Sequence, residues 1–216
     1  MKYPGLMIFV ALAGFGSVAR ADPAKLDVTI EGAKNGHFPI DSVACVADSS
    51  GKVGQTGKSI SPGVAWTTGP AGTKSYALLM TDPDVPVTRG APGSVTPADA
   101  PRQVLYHWIL ADIPVESTAL AAGIGNNYSE VFGGEKIAIS PDAGMNFAEY
   151  GYRGPCPPAG DLRPHHYNVR VFALDVAALA VPAPVEGKDF EALVAPHVLA
   201  EGVAVAAYAT DPRVKY

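Results

Sequence analysis

The chain is short of several things, and each shortage narrows what it can do. Two cysteines, Cys45 and Cys156, are all it has, and two isolated thiols do not make a metal site. Basic charge is scarce: 16 Lys and Arg stand against 21 Asp and Glu, a formal net charge of -5. That balance argues against nucleic acid or an anionic membrane surface as a bulk partner. Past the first twenty residues no run is apolar enough to cross a bilayer, so the chain does not read as an integral membrane protein. It has no internal repeat and no low-complexity tract. It also lacks a Gly-x-Ser-x-Gly elbow or any other marked nucleophile, so nothing in it announces covalent catalysis.

What is present begins with a leader. Lys2 precedes an apolar segment from Leu6 to Val18, and Ala19-Arg20-Ala21 follows. A positive start, a short apolar stretch and a small-x-small site together make a secretory signal. Cleavage is expected after Ala21, which leaves Asp22–Tyr216 as one domain. The leader removes Lys2 and Arg20 and no acid, so the mature net charge is -7, with 14 basic and 21 acidic residues. The expected location is periplasmic or secreted. In such a compartment Cys45 and Cys156 either form a disulfide or stay as two separate buried thiols.

Most of the remaining pattern is β. Leu26–Ile30, Ile40–Val46, Ser75–Thr81, Val104–Ala111, Tyr167–Leu174 and Val203–Tyr208 read as strands by length and β-propensity. Ile137–Ser140 is a weaker candidate. Helical pattern comes late, at Val176–Ala180, Lys188–Val194 and His197–Glu201, the last closed by Gly202. Many strands and few helices argue for an antiparallel sandwich-like architecture. The Gly/Pro-rich stretch from Arg89 to Pro101 reads as a long surface loop.

Four segments carry polar groups that ask for an explanation. Met80-Thr81-Asp82-Pro83-Asp84-Val85-Pro86 leaves an apolar strand with two carboxylates held between prolines, which predicts a stiff elbow aiming Asp82 and Asp84. In Tyr106-His107-Trp108, alternation puts His107 on one strand face with Leu105 and Ile109; a histidine there is either a satisfied core residue or a ligand group. Gly154-Pro155-Cys156-Pro157-Pro158 is a stiff loop whose free N–H groups, at Gly154 and Cys156, can face an anion. Pro164-His165-His166-Tyr167 opens a strand with His165 and Tyr167 on one face and His166 on the other.

These four motifs, in this order, resemble the phosphatidylethanolamine-binding protein family, in particular its bacterial Raf-kinase-inhibitor-like branch. Ile60-Ser61-Pro62-Gly63-Val64-Ala65-Trp66, Phe172-Ala173-Leu174-Asp175 and His197-Val198-Leu199-Ala200-Glu201-Gly202 extend the match, the last resembling the family's C-terminal helix. The resemblance implies a large central antiparallel sheet flanked by a smaller sheet, with short C-terminal helices. It also implies a small pocket for phosphate-like anions, lined by Asp82, Asp84, His107, Gly154, Pro155, Pro157, His165 and Tyr167. The implied partner is a phosphate-bearing small molecule or phospholipid head group, with inhibition or regulation of a protein target as a further role. No cofactor is implied. His166 stands where the family usually carries arginine, and Arg163 is a candidate replacement for that charge. Two other readings of the same residues stay open: a hydrolase using Asp82, His107 and His165, and a metal site built from Asp82, Asp84, His107 and His165. In the pocket reading Asp82 orients a histidine or shares a proton with the ligand, because a bare carboxylate repels an anion.

Overall fold

The computed structural model describes residues 24–88, 90–91, 93–124, 131–132, 135–136, 151–181, 185 and 187–215. The leader at 1–21 and the candidate strand at 137–140 lie outside them. In chain order the strands are β1 (Ala24–Lys25), β2 (Val28–Ile30), β3 (Val46–Ala47), β4 (Val53–Gly54), β5 (Val64–Trp66), β6 (Ser75–Pro86), β7 (Arg102–Pro114), β8 (Ala119–Leu120), β9 (Val131–Phe132), β10 (Glu135–Lys136), β11 (His165–Leu174) and β12 (Val198–Tyr208). Among the described residues there is one α-helix, α1, at Gly187–Val194 between β11 and β12.

The long strands make a five-stranded sheet in the order β1-β12-β11-β6-β7. Its four long members pair antiparallel, and β1 joins β12 in parallel, so the sheet is mixed at that edge. A three-stranded sheet, β2-β5-β8, is the smaller partner. Side chains alternate along the long strands, so each strand feeds two cores. Tyr76, Leu78, Met80, Trp108, Leu110, Val169 and Val171 pack toward Ile30, Val64, Trp66 and Leu120 of the small sheet. Ala77, Leu79, Ile109, Ala111, Phe172 and Leu174 pack toward Phe190 and Val194 of α1. Phe190 and Val194 are one helical turn apart and lie on the same stripe.

Three expectations are corrected here. Ile40–Val46 is not a strand: Pro39 precedes a 3-10 turn at Ile40–Ser42, and only Val46–Ala47 pairs, with β4. Val176–Ala180 is a bend with no helical turn. The stretch from His197 to Gly202 is not a helix either. A short 3-10 turn ends at His197, and Val198 opens β12. Gly202 sits in mid-strand, where a Cβ would run into the Leu26 carbonyl oxygen. Its lack of a side chain serves a close crossing of β12 by the Leu26 segment, not a helix stop.

Candidate functional site

Strand β6 does not end at an elbow. It continues through Asp82-Pro83-Asp84 to Pro86, and the irregularity is a register shift against β7 between Asp82 and Val85. Pro83 is tolerated because it lies within this break in the ladder, and Pro86 because it is the last residue of the strand. The result splits the two aspartates. Asp82 shares the face of His165, and Asp84 the face of His166.

A second bulge places His107. Met80 pairs with Trp108 and Thr81 with Tyr106, leaving His107 as the extra residue of β7. Simple alternation therefore fails across it. His107 lines a cavity together with Leu105, while Ile109 packs on the other face under α1.

That cavity has a volume of about 420 Å³. Of the expected residues, Asp82, His107, Pro157, His165 and Tyr167 line it; Asp84, Gly154 and Pro155 do not. Asp84 is buried on the opposite face, accepting from His166 Nδ1 at 2.8 Å and from Arg163 Nε at 2.7 Å. Arg163 thus neutralises Asp84 and does not supply a cavity charge. Gly154 is needed for packing, since a Cβ would press on the backbone of Ser42 and Ala44. Its N–H is not free for an anion: it donates to Ser59 Oγ at 3.0 Å.

The wall beside Pro157 is a covalent one. Cys45 and Cys156 are joined by a disulfide, their Cα atoms 4.7 Å apart, and both line the cavity. The Pro155 carbonyl accepts from Ala44 N and Cys45 N at 2.9 and 3.2 Å. Tyr152 Oη donates to the Ser42 carbonyl at 2.7 Å. Segments 42–45 and 152–156 are therefore fastened together at four points.

Inside, charges alternate. His165 Nδ1 faces Asp82 Oδ2 at 2.6 Å, and Nε2 faces Asp161 Oδ2 at 3.1 Å. Burial pulls the His165 pKa down, but the two carboxylates outweigh it and hold the pKa above its ordinary value. Asp161 is buried too, and Arg102 with His165 keeps its carboxyl below the ordinary value. Asp82 Oδ1 accepts from the Asp84 backbone N–H at 2.8 Å, which fixes the carboxylate on a local turn.

His107 behaves differently. Its Nδ1 lies 2.9 Å from the Arg153 carbonyl, so Nδ1 carries the hydrogen and neutral Nε2 is an acceptor. Burial lowers the His107 pKa against the opposing pull of Asp82, whose Oδ2 is 4.0 Å from Nε2. The ring packs edge-on to Tyr167, centroids 5.3 Å apart. Burial and then the Asp82 charge push the Tyr167 phenol well above its ordinary pKa, so it keeps its proton. Among the described residues, neither His107 Nε2 nor Tyr167 Oη has a hydrogen-bond partner. Buried polar atoms without partners are uncommon and call for a reason.

Sequence reasoning missed Arg102, Asp161 and the rim residues Gly90, Ala91, Gly93, Ser94 and Thr96, which line the cavity from the loop read only as surface. The metal reading needed Asp82, Asp84, His107 and His165 to converge. Asp84 sits across the sheet, and both His165 nitrogens face protein carboxylates, so the four do not converge.

A mixed sheet carrying at one end a small cavity with unpartnered polar atoms defines a ligand-binding class of fold. The profile of the phosphatidylethanolamine-binding protein family matches residues 31–209, and the chain belongs to that family. It is 35% identical to the UPF0098 protein of Aquifex aeolicus over 156 residues, covering 72% of this chain and 77% of that one. It is 32% identical to the UPF0098 protein YbcL of Escherichia coli over 154 residues, 71% of each chain. The crystal structure of E. coli YbcL, described as a new member of the mammalian family, superposes with a TM-score of 0.63 at 25% identity; it covers 86% of this chain and 98% of YbcL.

Proposed function

We propose that this protein is an exported binding protein whose cavity holds a phosphate-bearing head group. The observation that carries the reading is the pair of buried, unpartnered atoms, His107 Nε2 and Tyr167 Oη, on the lining of one cavity. Tyr167 Oη donates to a phosphate oxygen. His107 Nε2 accepts the remaining proton of a singly ionised monoester, or takes a proton and donates it back to a dianion. In either form the complex holds one more proton than the separated partners at alkaline pH. Asp82 favours the protonated imidazole, which offsets its repulsion of the ligand. The chemistry is binding, with His107 and Tyr167 reading the phosphate and the Cys45–Cys156 wall shaping access.

Calorimetry with phosphorylethanolamine, chelator present, tests this between about pH 5 and 8. Affinity should rise as pH falls from about 8 toward about 6, where the ester takes up the proton that the complex holds. It should decline again once free His107, whose pKa lies below its ordinary value, is protonated as well, because the complex holds only one proton. Repeating the titration in buffers of different ionisation heat should show proton uptake above pH 7. A flat profile, or binding lost to chelator, overturns the reading. Export itself is checked by intact mass of the secreted chain, expected to begin at Asp22.

A further inference from the structure

We propose that Arg102 and Asp161 are the positioning pair of this cavity: they hold His165 as a fixed cation between two carboxylates and anchor the rim loop above it. A carboxylate only accepts hydrogen bonds. Both His165 nitrogens face carboxylate oxygens, so both donate, and the ring carries both protons. Four side chains then run in line as Arg102, Asp161, His165 and Asp82, with relative exposures of 8%, 0%, 1% and 2%. The row alternates plus and minus and is neutral in sum, which is how buried charges are tolerated.

Asp161 is saturated. Arg102 grips it with both arms, Nη1 to Oδ2 at 2.7 Å and Nη2 to Oδ1 at 3.0 Å. His165 and the Arg163 backbone N–H, 3.1 Å from Oδ1, complete the set. Arginine suits this place because its planar fork matches a carboxylate and never loses its charge. The same guanidinium donates to the carbonyls of Asp84 at 2.8 Å, Pro97 at 2.8 Å and Ala100 at 3.1 Å. Those carbonyls belong to the strand end and loop that frame the rim. Thr96 N to the Gly160 carbonyl and Leu162 N to the Thr96 carbonyl, 2.9 and 3.0 Å, stitch the rim to the Asp161 turn. One residue pair therefore sets a charge and a shape together.

The groups facing His165 are Asp82 from β6, His107 from β7 and Asp161 from the turn before β11, with Tyr167 packed against the His107 ring. With its counter-charges fixed, His165 does not titrate in the neutral range, and His107 is left as the titrating imidazole of the lining. The assignment of His165 stands on the free protein; only its consequence for affinity rests on the phosphate reading above.

Side-chain NMR of the two imidazoles across about pH 5.5 to 8 tests it without ligand. In the wild type, His165 should keep both ring protons throughout, while His107 shows the Nδ1–H tautomer. A neutral His165 tautomer at pH 7 overturns the proposal. In Asp161→Asn the His165 proton affinity should fall at least tenfold, bringing a titration into the window. Phosphorylethanolamine affinity should then gain a second step against pH. An Asp161→Asn protein whose His165 stays fully protonated to pH 8 also overturns it. Arg102→Lys keeps the charge beside Asp161 but loses the fork. It should leave His165 protonated to pH 8 while weakening phosphorylethanolamine several-fold through the freed rim, and if Asp161→Asn does not fold, this variant and the wild type decide. A wild type that binds no phosphorylethanolamine yet keeps His165 charged removes the phosphate reading and leaves the positioning pair standing.

Discussion

Strands β6, β7 and β11 lead two lives. Under α1 they present Ala77, Leu79, Ile109, Ala111, Phe172 and Leu174 to Phe190 and Val194, every one of them at most 3% exposed. At the cavity end the same three strands present Asp82, His107, His165 and Tyr167, at most 3% exposed as well. Burial is equal and chemistry is opposite. The helix end gains free energy from apolar area removed from water, roughly 25 cal/mol per Å². The cavity end gains little from its burial and tolerates it only through paired charges, a disulfide and hydrogen bonds to backbone. Stability and binding should therefore separate along the strands.

The disulfide is the largest lever. It closes a separation of 111 residues, so on the chain-entropy model it is worth about 4–5 kcal/mol. A Cys45→Ala/Cys156→Ala protein should lose most of that in urea unfolding and should also bind phosphorylethanolamine more weakly, because the bridge is both fastening and wall. Unchanged affinity would show that the hydrogen bonds between segments 42–45 and 152–156 hold the wall alone. Next is Phe190→Ala, expected to cost about 3–4 kcal/mol as a buried aromatic cavity mutation. Its affinity, measured where the protein is folded, should match the wild type; a large loss would break the separation of the two ends.

His107→Phe should act in the opposite sense, lowering affinity about tenfold, or about 1.4 kcal/mol. Its effect on stability depends on pH. His107 has a lowered folded pKa, so its contribution is full above about 6.5 and fades as pH falls through the folded value. His165 has a raised one, so its contribution is full below about 6.5 and fades as pH rises through its folded value. In the wild type the two oppose each other. His107→Phe should remove the acid-side loss, so its melting temperature should fall less than the wild type's between about pH 6.5 and 5. The smallest effect belongs to Arg170, between the two ends. It pairs with Glu191 of α1 and Glu201 of β12 and lies 4.8 Å over the Phe172 ring, with 28% of its side chain exposed. Arg170→Ala should cost about 1 kcal/mol, with affinity unchanged.

How far the sequence reaches follows the same division. The long strands and α1 are legible because alternation and helical spacing are local patterns. The cavity's lining is half legible. Asp82, His107, His165 and Tyr167 stand in recognisable motifs, yet the face of His107 depends on a bulge between β6 and β7, a register event that no single strand records. Asp84 is misplaced for the same reason: its neighbour in sequence, Asp82, is across the sheet from it. Arg102 and Asp161 lie 59 residues apart with nothing local to join them. The one available sign was an arginine at the foot of a Gly/Pro-rich loop, where unpaired carbonyls need donors. His197–Gly202 misleads because Leu199, Ala200 and Glu201 favour helix, while neighbours on both sides demand a strand.

The placing of β12 has a consequence for the order in which this chain can become a sheet. Among the described residues, the last strand, β12, lies between the first, β1, and β11. Until Val198–Tyr208 has left the ribosome, Ala24 and Lys25 have no partner and His165–Leu174 shows an open row of N–H and C=O groups. Everything from Ala24 to Glu201 must exist before β1 and β12 can pair. Such pairings of high sequence separation form slowly. A chain stopped short of Val198 is therefore more than a protein lacking a strand. It is a bare, ten-residue edge held in the geometry that invites another chain to pair with it.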